Sequence, residues 1–260
     1  MRKQLPLILI LILQSVIAFC QTGGPKKTEI IGPTKAKIMT KLYSNYDAKK
    51  NFSKWFCTDM GLLKTFSSPT PTLFQSKILY ADSLSSNSGK LLYVLLSEKP
   101  LLDQVCHGCA PVLKFLSFKK TGATWFLDYE KQVGQIGSFG EAPPLEVKKA
   151  GKNIGFIFTD GFTNMGESTE AIVMYAYDKG VFKMVLQIPE SSYSNDGACE
   201  VKVANSCYSY DGKIKFIEAG KDFNDIVFTK KGTDKPKDKV VKIDSVIVYR
   251  FLNGVYARVK

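Results

Sequence analysis

The chain has 260 residues, a formal net charge of +12 at neutral pH and 45% hydrophobic residues. This hydrophobic content excludes a disordered chain, and this length can bury a substantial core without help from disulfides. The basic balance favours anionic partners, namely a cell-envelope polysaccharide or an acidic lipid surface. Nucleic acid is not expected, because nearly all of the positive charge is scattered lysine and no stripe of arginine interleaved with aromatics occurs.

The first twenty residues follow the three-part pattern of a secretory signal peptide. A short basic start precedes the apolar run from Leu5 to Phe19, and the run closes on a small-x-small pattern that ends at Cys20. We therefore expect cleavage between Cys20 and Gln21, a secreted or periplasmic protein, and an oxidising compartment. Lipid anchoring through Cys20 is the alternative, although Phe19 stands where a lipobox normally has a small residue.

Downstream of the signal peptide the pattern changes twice. Residues 21–34 are rich in Gly, Pro and Lys and predict a flexible leader. From Lys35 to Tyr46 apolar residues recur at helical spacing after Pro33-Thr34, which predicts one short amphipathic helix. We interpret residues 35–72 as an N-terminal helical appendage, because a run rich in Ser, Thr and Pro follows it. Residues 73–260 are then predicted to form an antiparallel β domain.

The β domain is predicted from turns flanked by aromatic residues. The segments 77–81 and 91–96 flank a Ser/Asn/Gly loop and predict a hairpin. Further bracketing pairs are Phe118 with Trp125, Tyr177 with Phe182, Tyr210 with Phe216, and Phe251 with Tyr256. Asp-Gly and Asn-Gly tolerate the positive φ of tight hairpin turns. The predicted fold is mainly β, with antiparallel sheets built from consecutive hairpins in a sandwich, barrel or propeller-like arrangement, and one short N-terminal helix.

Five cysteines remain after signal removal, so at least one is unpaired or joins another chain. Cys199 and Cys207 are close in sequence and are predicted to form a structural disulfide. Cys106 and Cys109 are predicted to form a second disulfide in a loop. Cys57, which follows two aromatic residues, is interpreted as the buried odd thiol, with pairing to either loop cysteine left open.

The segment Cys106-His107-Gly108-Cys109 also permits two chemical readings. A C-x-x-C pair at a helix N-terminus has a lowered thiol pKa and exchanges disulfides. The sequence after Cys109 favours a strand instead, which weakens this reading. A metal site is not expected, because adjacent residues seldom face one ion and oxidation competes with metal binding. Attachment of c-type haem is excluded because Ala110 follows the second cysteine. No cofactor is predicted.

This tetrapeptide carries a resemblance. Together with the following Ala110-Pro111, an aromatic strand and Gly137-Ser-Phe-Gly140, it resembles a pattern in exported bacterial proteins of the Bacteroidetes type that carry a Cys-His-x-Cys-Ala-Pro motif. The similar region spans residues 90–260. The resemblance implies export and a β fold, and it carries no activity and no catalytic residue.

Two polar or glycine-rich segments form a candidate ligand loop. Their residues are Gly134, Gly137, Ser138, Gly140, Asp160, Asn164 and Glu167. The glycines predict a turning backbone between strands or a close approach to a ligand. The acidic segment offers oxygen ligands, but its spacing does not match a calcium-binding EF-hand.

The scarcity of histidine limits catalysis. The single histidine, His107, lies between two cysteines, so a Ser–His or Cys–His nucleophile would depend on it. No catalytic residue is assigned. We expect non-enzymatic binding or an envelope-associated interaction. The alternatives are a thiol–disulfide oxidoreductase using Cys106 and Cys109, and a hydrolase that acts through a pair of carboxylates.

Overall fold

The computed structural model describes residues 28–43, 45–68, 70–86, 89–101, 109–200, 206–219, 222–236 and 239–259. Within these ranges the chain is mainly β, with two short helices, α1 (Lys35–Leu42) and α2 (Met60–Thr65). The strands are β1 (Glu29–Ile31), β2 (Tyr46–Asp47), β3 (Phe52–Cys57), β4 (Thr72–Ser86), β5 (Gly89–Pro100), β6 (Val112–Thr121), β7 (Thr124–Gln135), β8 (Leu145–Ala150), β9 (Asn153–Asn164), β10 (Glu167–Asp178), β11 (Val181–Ser194), β12 (Ser209–Ile217), β13 (Asp225–Asp234), β14 (Val241–Leu252) and β15 (Val255–Val259).

The strands form two antiparallel sheets. The first sheet has the order β1-β7-β6-β5-β4-β3-β2, and the second runs from β15 to β8 with every strand beside its sequence neighbour. The prediction of antiparallel sheets built from consecutive hairpins is therefore confirmed. Among the described residues no helix is long and apolar enough to cross a membrane.

Three of the predicted aromatic hairpins close as expected. Tyr177 pairs with Phe182 across a turn in which Lys179 and Gly180 both have positive φ. Phe251 pairs with Tyr256 across Asn253-Gly254 in the same way, and β6 and β7 meet at Thr121 and Thr124. Because both central residues have positive φ, the first two turns match the twist of their strands.

The hairpin predicted at Asp211-Gly212 does not form. Both residues lie inside β12, which runs unbroken from Ser209 to Ile217. A Cβ on Gly212 would lie 2.2 Å from the Ser191 carbonyl oxygen and 2.4 Å from the Phe228 ring. Glycine stands here because neighbouring atoms leave no room for a side chain, and not because the backbone turns.

The N-terminal region differs from the predicted division of the chain. The helix begins as predicted, with the Thr34 side chain capping it, but it ends at Leu42. Residues 29–31, expected in the flexible leader, form β1 and pair with β7. β3, expected in the helical appendage, pairs with β4. The first sheet thus extends across the boundary expected at residues 72 and 73. The predicted signal peptide and its cleavage site lie outside the described residues.

The two sheets stack in layers. The first sheet curves around α1, which contacts β1 at one edge and β2 and β3 at the other. Its opposite face packs on β8–β11 through a cluster that includes Phe115, Phe156 and Phe182. The second sheet folds back at the join of β11 and β12, where only Tyr193–Tyr210 and Ser194–Ser209 are paired.

β8–β11 therefore form a middle layer that is covered on both sides. Along β10, Val173, Tyr175 and Tyr177 face the first sheet, whereas Ile172, Met174 and Ala176 face β12–β15. Successive side chains of a strand point to opposite faces, so the central stretches of β9 and β10, residues 154–158 and 171–177, are apolar at nearly every position.

Candidate functional site

The predicted glycine segment packs directly on the chain that follows the second cysteine of the C-x-x-C motif. The Gly140 N–H donates to the Cys109 carbonyl oxygen at 2.5 Å, and the Ile136 N–H donates to the Pro111 carbonyl oxygen at 3.2 Å. The Gln135 side chain also donates to the Ala110 carbonyl oxygen at 3.1 Å. The structure thus brings two separate sequence signals together at one end of the first sheet.

The glycines in this segment are required by the backbone. Gly134, Gly137 and Gly140 all have positive φ. A Cβ on Gly137 would lie 2.1 Å from the Glu141 carbonyl oxygen, because Ser138 and Glu141 form a tight bridge there. The turning backbone predicted from the spacing is observed at Gly137 and Gly140.

Asp160 joins this segment from the middle layer. Its carboxylate accepts a hydrogen bond from the Gly137 backbone. Partial burial raises the pKa of Asp160, and the Gly137 bond offsets part of that rise. Lys99 and Glu141 add an ion pair of 2.8 Å beside the glycine segment. Asp160 is therefore used to hold the two sheets together at this end.

Asn164 and Glu167 lie elsewhere. They are opposite each other at the tip of the β9–β10 hairpin, in which only Met165 and Gly166 form the turn. Asn164 lies four residue steps along the extended strand from Asp160, a distance of about 13 Å. The seven residues of the predicted ligand loop therefore form two groups. Across the part of the chain that the structure describes, no three His, Cys, Asp or Glu residues are placed to hold a metal ion.

The cysteines follow the predicted pattern where the structure describes them. Cys199 and Cys207 form a disulfide with a Cα–Cα distance of 5.1 Å, which confirms that prediction. Cys57 is a free and buried thiol, and burial raises its pKa. Cys109 is disulfide-bonded. Cys106, its predicted partner, lies outside the described residues together with His107, so that pairing stays a prediction.

A buried polar cluster inside the curve of the first sheet was not predicted. The Glu98 carboxylate accepts hydrogen bonds from the Tyr43 hydroxyl and from Ser76 Oγ, the latter at 3.3 Å. The Trp55 indole donates to the same Ser76 oxygen at 2.8 Å. Glu98 and Ser76 have no exposed surface, and Glu98 Oε2 finds no hydrogen-bond partner among the described residues.

Charge at the rim of this cluster comes from Lys114, whose Nζ lies 2.5 Å from Glu130 Oε1. Burial raises the pKa of Glu98, and burial together with the Glu98 charge raises the pKa of Tyr43 well above its ordinary value. Glu98 could have been found from the sequence, because it continues the i, i+2 series of the buried residues Leu92, Val94 and Leu96.

An exposed surface on the first sheet was also missed. It is formed by side chains of β3 and β4 that lie beyond the area covered by the middle layer, and we call it the β3–β4 face. Its residues are Phe52, Lys54, Phe56, Leu73, Gln75 and Lys77. Phe56 and Leu73 are opposite each other and are 61% and 42% exposed. The Lys54 and Lys50 ammonium groups lie 5.9 and 6.0 Å from the Phe52 ring centroid.

Comparisons with known proteins give no relative of this chain: no family model, no curated protein and no solved structure matches it.

Proposed function

We propose that this chain is an exported, non-enzymatic binding protein that holds an acidic polysaccharide of the cell envelope on its β3–β4 face. The signal-peptide pattern and the Cys199–Cys207 disulfide support export to an oxidising compartment. Without Arg2 and Lys3 the formal charge falls from +12 to +10, which still attracts anionic polymers.

The observation that carries the proposal is the alternation of rings and cations on this face. Phe52, Lys54 and Phe56 occupy one side of β3, about 6.6 Å apart from one to the next. Lys77 is opposite Phe52 on β4. Lys54 and Lys77 form no ion pair with any described residue, so both charges are available to a ligand.

This alternation suits a polymer of charged sugar rings better than a lipid surface. A sugar ring packs against an aromatic face while its carboxylate contacts the neighbouring lysine. A membrane-surface site would instead have a continuous apolar face with a basic rim. On the β3–β4 face, Lys54 separates the two phenylalanines, so neither ring extends the other into a continuous apolar area.

The two enzymatic alternatives have less support. Thiol–disulfide exchange is favoured by a cysteine at a helix N-terminus, and here Cys109 leads into the strand β6. A carboxylate-dependent hydrolase needs acids that reach substrate. Glu98, the acid most strongly removed from water, has no exposed surface.

The proposal is tested by affinity electrophoresis in gels that contain polygalacturonate, with neutral dextran as the control polymer. We expect retardation by polygalacturonate alone, weakened by added salt. The double variant K54A/K77A should bind about tenfold more weakly. The matched variant K213A/K215A removes the same charge from exposed positions on β12 and should bind as the unmodified protein does.

Three outcomes would overturn the proposal. Equal weakening in both double variants would assign binding to overall charge and not to this face. Absence of retardation at low salt would remove the acidic polysaccharide as ligand. Binding to vesicles of phosphatidylglycerol without binding to polygalacturonate would show that the partner is a lipid surface.

A further inference from the structure

One edge of β14 is free of any described strand. β14 runs from Val241 to Leu252, but β15 pairs only with Val248–Leu252. On its other side β14 pairs with β13 from Val241 to Tyr249. We call residues Val241–Ile247, on the side of β15, the free edge. Such an edge presents unpaired N–H and C=O groups and is a template for another strand.

The turn between β14 and β15 determines which residues can bond outward. Asn253 and Gly254 form a two-residue turn with positive φ at both positions, so Leu252 and Val255 are the hydrogen-bonded pair that closes it. Hydrogen-bonded residues alternate along an antiparallel strand. Along the free edge the backbone groups of Lys242, Asp244 and Val246 therefore point outward.

This edge is complementary to itself in charge. A second copy paired antiparallel about a two-fold axis at Ile243 would put Lys242 opposite Asp244 of the second copy, and Asp244 opposite its Lys242. Cross-strand pairs of opposite charge stabilise a sheet. A lysine without an acidic partner protects a sheet edge against pairing with another strand. Here Asp244 of the second copy would supply Lys242 with that partner. A register centred on Asp244 would instead oppose two like charges.

The surroundings also fit a second strand. β15 ends at Val259 opposite Val248, so the described chain leaves the space beside Val241–Val246 open. A groove of about 660 Å³ opens at this step and is lined in part by Val246, Val248 and Val259. Val246 is 63% exposed, and in this register it would contact Val240 of the second copy.

We propose that two copies of this chain associate through their β14 free edges and form an isologous dimer with one continuous sheet. This inference is independent of the β3–β4 face, because it depends only on the backbone edge and on the charges of Lys242 and Asp244.

The test measures association by sedimentation equilibrium over a range of protein concentrations. The unmodified protein should dimerise. K242D and D244K each oppose like charges twice and should weaken the dimer about tenfold or more. The double variant K242D/D244K restores opposite charges between the copies and should recover most of the association, although D244K also removes the ion pair of 3.5 Å between Asp244 and Lys231 within each chain. Circular dichroism of each variant establishes that it is folded.

Cysteine crosslinking tests the register. Ile243→Cys should form a disulfide-linked dimer on oxidation, because directly opposite residues at a non-hydrogen-bonded position lie about 4.5 Å apart. Ser245→Cys, which is opposite Val241 of the second copy, should not. Any of three results would overturn this inference. The protein could be a monomer at every concentration, the dimer could be as stable in K242D and D244K as in the unmodified protein, or Ser245→Cys alone could crosslink.

Discussion

Glu98 is an unusual residue in this fold because its side chain lies where an apolar one is expected. It occupies the inner face of β5 and ties α1 to the sheet through the hydroxyl of Tyr43, the residue that caps the C-terminus of that helix. Burial of a carboxyl group disfavours its charged form. The folded chain therefore favours the protonated form of Glu98 more than the unfolded chain does.

The raised pKa of Glu98 predicts the direction of a pH effect. The native state keeps the Glu98 proton at a pH where the unfolded chain, with an ordinary value near 4.5, has released it. The stabilisation is thus fully present below the unfolded pKa and is lost as pH rises through the folded pKa. We expect Glu98→Gln to remove this fall in the free energy of unfolding, measured by urea denaturation between pH 4 and 8.

The matched control is Ser76→Ala, which removes a hydrogen-bond partner of Glu98 and keeps the carboxyl group. It should keep the fall in stability with rising pH and enlarge it, because the Ser76 hydrogen bond lowers the pKa of Glu98. If Glu98→Gln and the unmodified protein change in parallel with pH, the Glu98 proton does not contribute to stability.

At the scale of single residues, the sequence shows where a glycine stands but does not always show why the structure requires one there. Gly137 was expected in a turning backbone, and a positive φ is observed there. Gly212 was expected in a turn and instead lies in a straight strand against Phe228. At Gly212 the space that a side chain would need is already filled by atoms of Ser191 and Phe228, which belong to other strands and are not evident from the local sequence.

The join of β11 and β12 is the weakest seam of the second sheet, and three features reinforce it. The Cys199–Cys207 disulfide closes the connecting loop, and the adjacent Tyr208 ring stacks on Tyr193 at 5.2 Å. The Lys230 ammonium group lies 3.4 Å from the centroid of the Tyr210 ring. A cation over an aromatic face is stabilising, most of all where water is excluded.

Removing this disulfide should lower stability by a predictable amount. A closed loop of nine residues restricts the unfolded chain by about 2.5 kcal/mol on the chain-entropy model. The double variant C199A/C207A should lose roughly that free energy of unfolding in urea denaturation. C199S/C207S controls for the change from sulfur to an apolar side chain. If neither variant loses stability beyond experimental error, the tyrosine stack and the Lys230 contact secure the join without the disulfide.

At the scale of elements, the long hairpins were predictable and the short strands were not. β10 and β11 combine runs of apolar and aromatic residues with a two-residue turn, which is a strong local signal. β1 and β2 have three and two residues and exist only because longer strands offer them an edge. Their partners are β7 and β3, and β7 is distant from β1 in sequence.

The whole molecule is held together by aromatic packing between its two sheets. Phe115 of the first sheet stacks on Phe182 of the middle layer with ring centroids 3.9 Å apart and planes nearly parallel. Tyr129 accepts a hydrogen bond from the Phe182 backbone at 3.1 Å. These contacts couple the sheets, so we treat them as one cooperative unit.

Phe115→Ala should test this coupling. Truncation of a fully buried phenylalanine costs about 3–5 kcal/mol. Phe56→Ala, on the part of the same face that the middle layer leaves uncovered, should change the free energy of unfolding by less than about 0.5 kcal/mol. Both tryptophans lie in the first sheet, so fluorescence reports on that sheet and far-ultraviolet circular dichroism reports on both. Separate transitions for the two signals in the unmodified protein would contradict a single unit.

The layering itself was not predictable from the sequence. A hairpin pattern gives antiparallel neighbours, and it fits a sandwich, a barrel and a propeller equally well. The arrangement is decided by which face of each strand is buried against which other strand. The apolar series Ile154-Gly-Phe-Ile-Phe158 is typical of a buried strand, but it does not show that Phe156 and Phe158 face the first sheet and Ile157 faces β12–β15.

That double covering has a consequence for the newly made chain. Residues 155–158 of β9 are buried, and apolar groups lie on both of their sides. Until β12–β15 have been synthesised and folded over it, one of those sides is exposed to water and to neighbouring chains, which is the condition for intermolecular aggregation. Residues 209–259 thus cover the apolar side of residues 145–194, and a chain that ends before residue 209 would leave that side exposed.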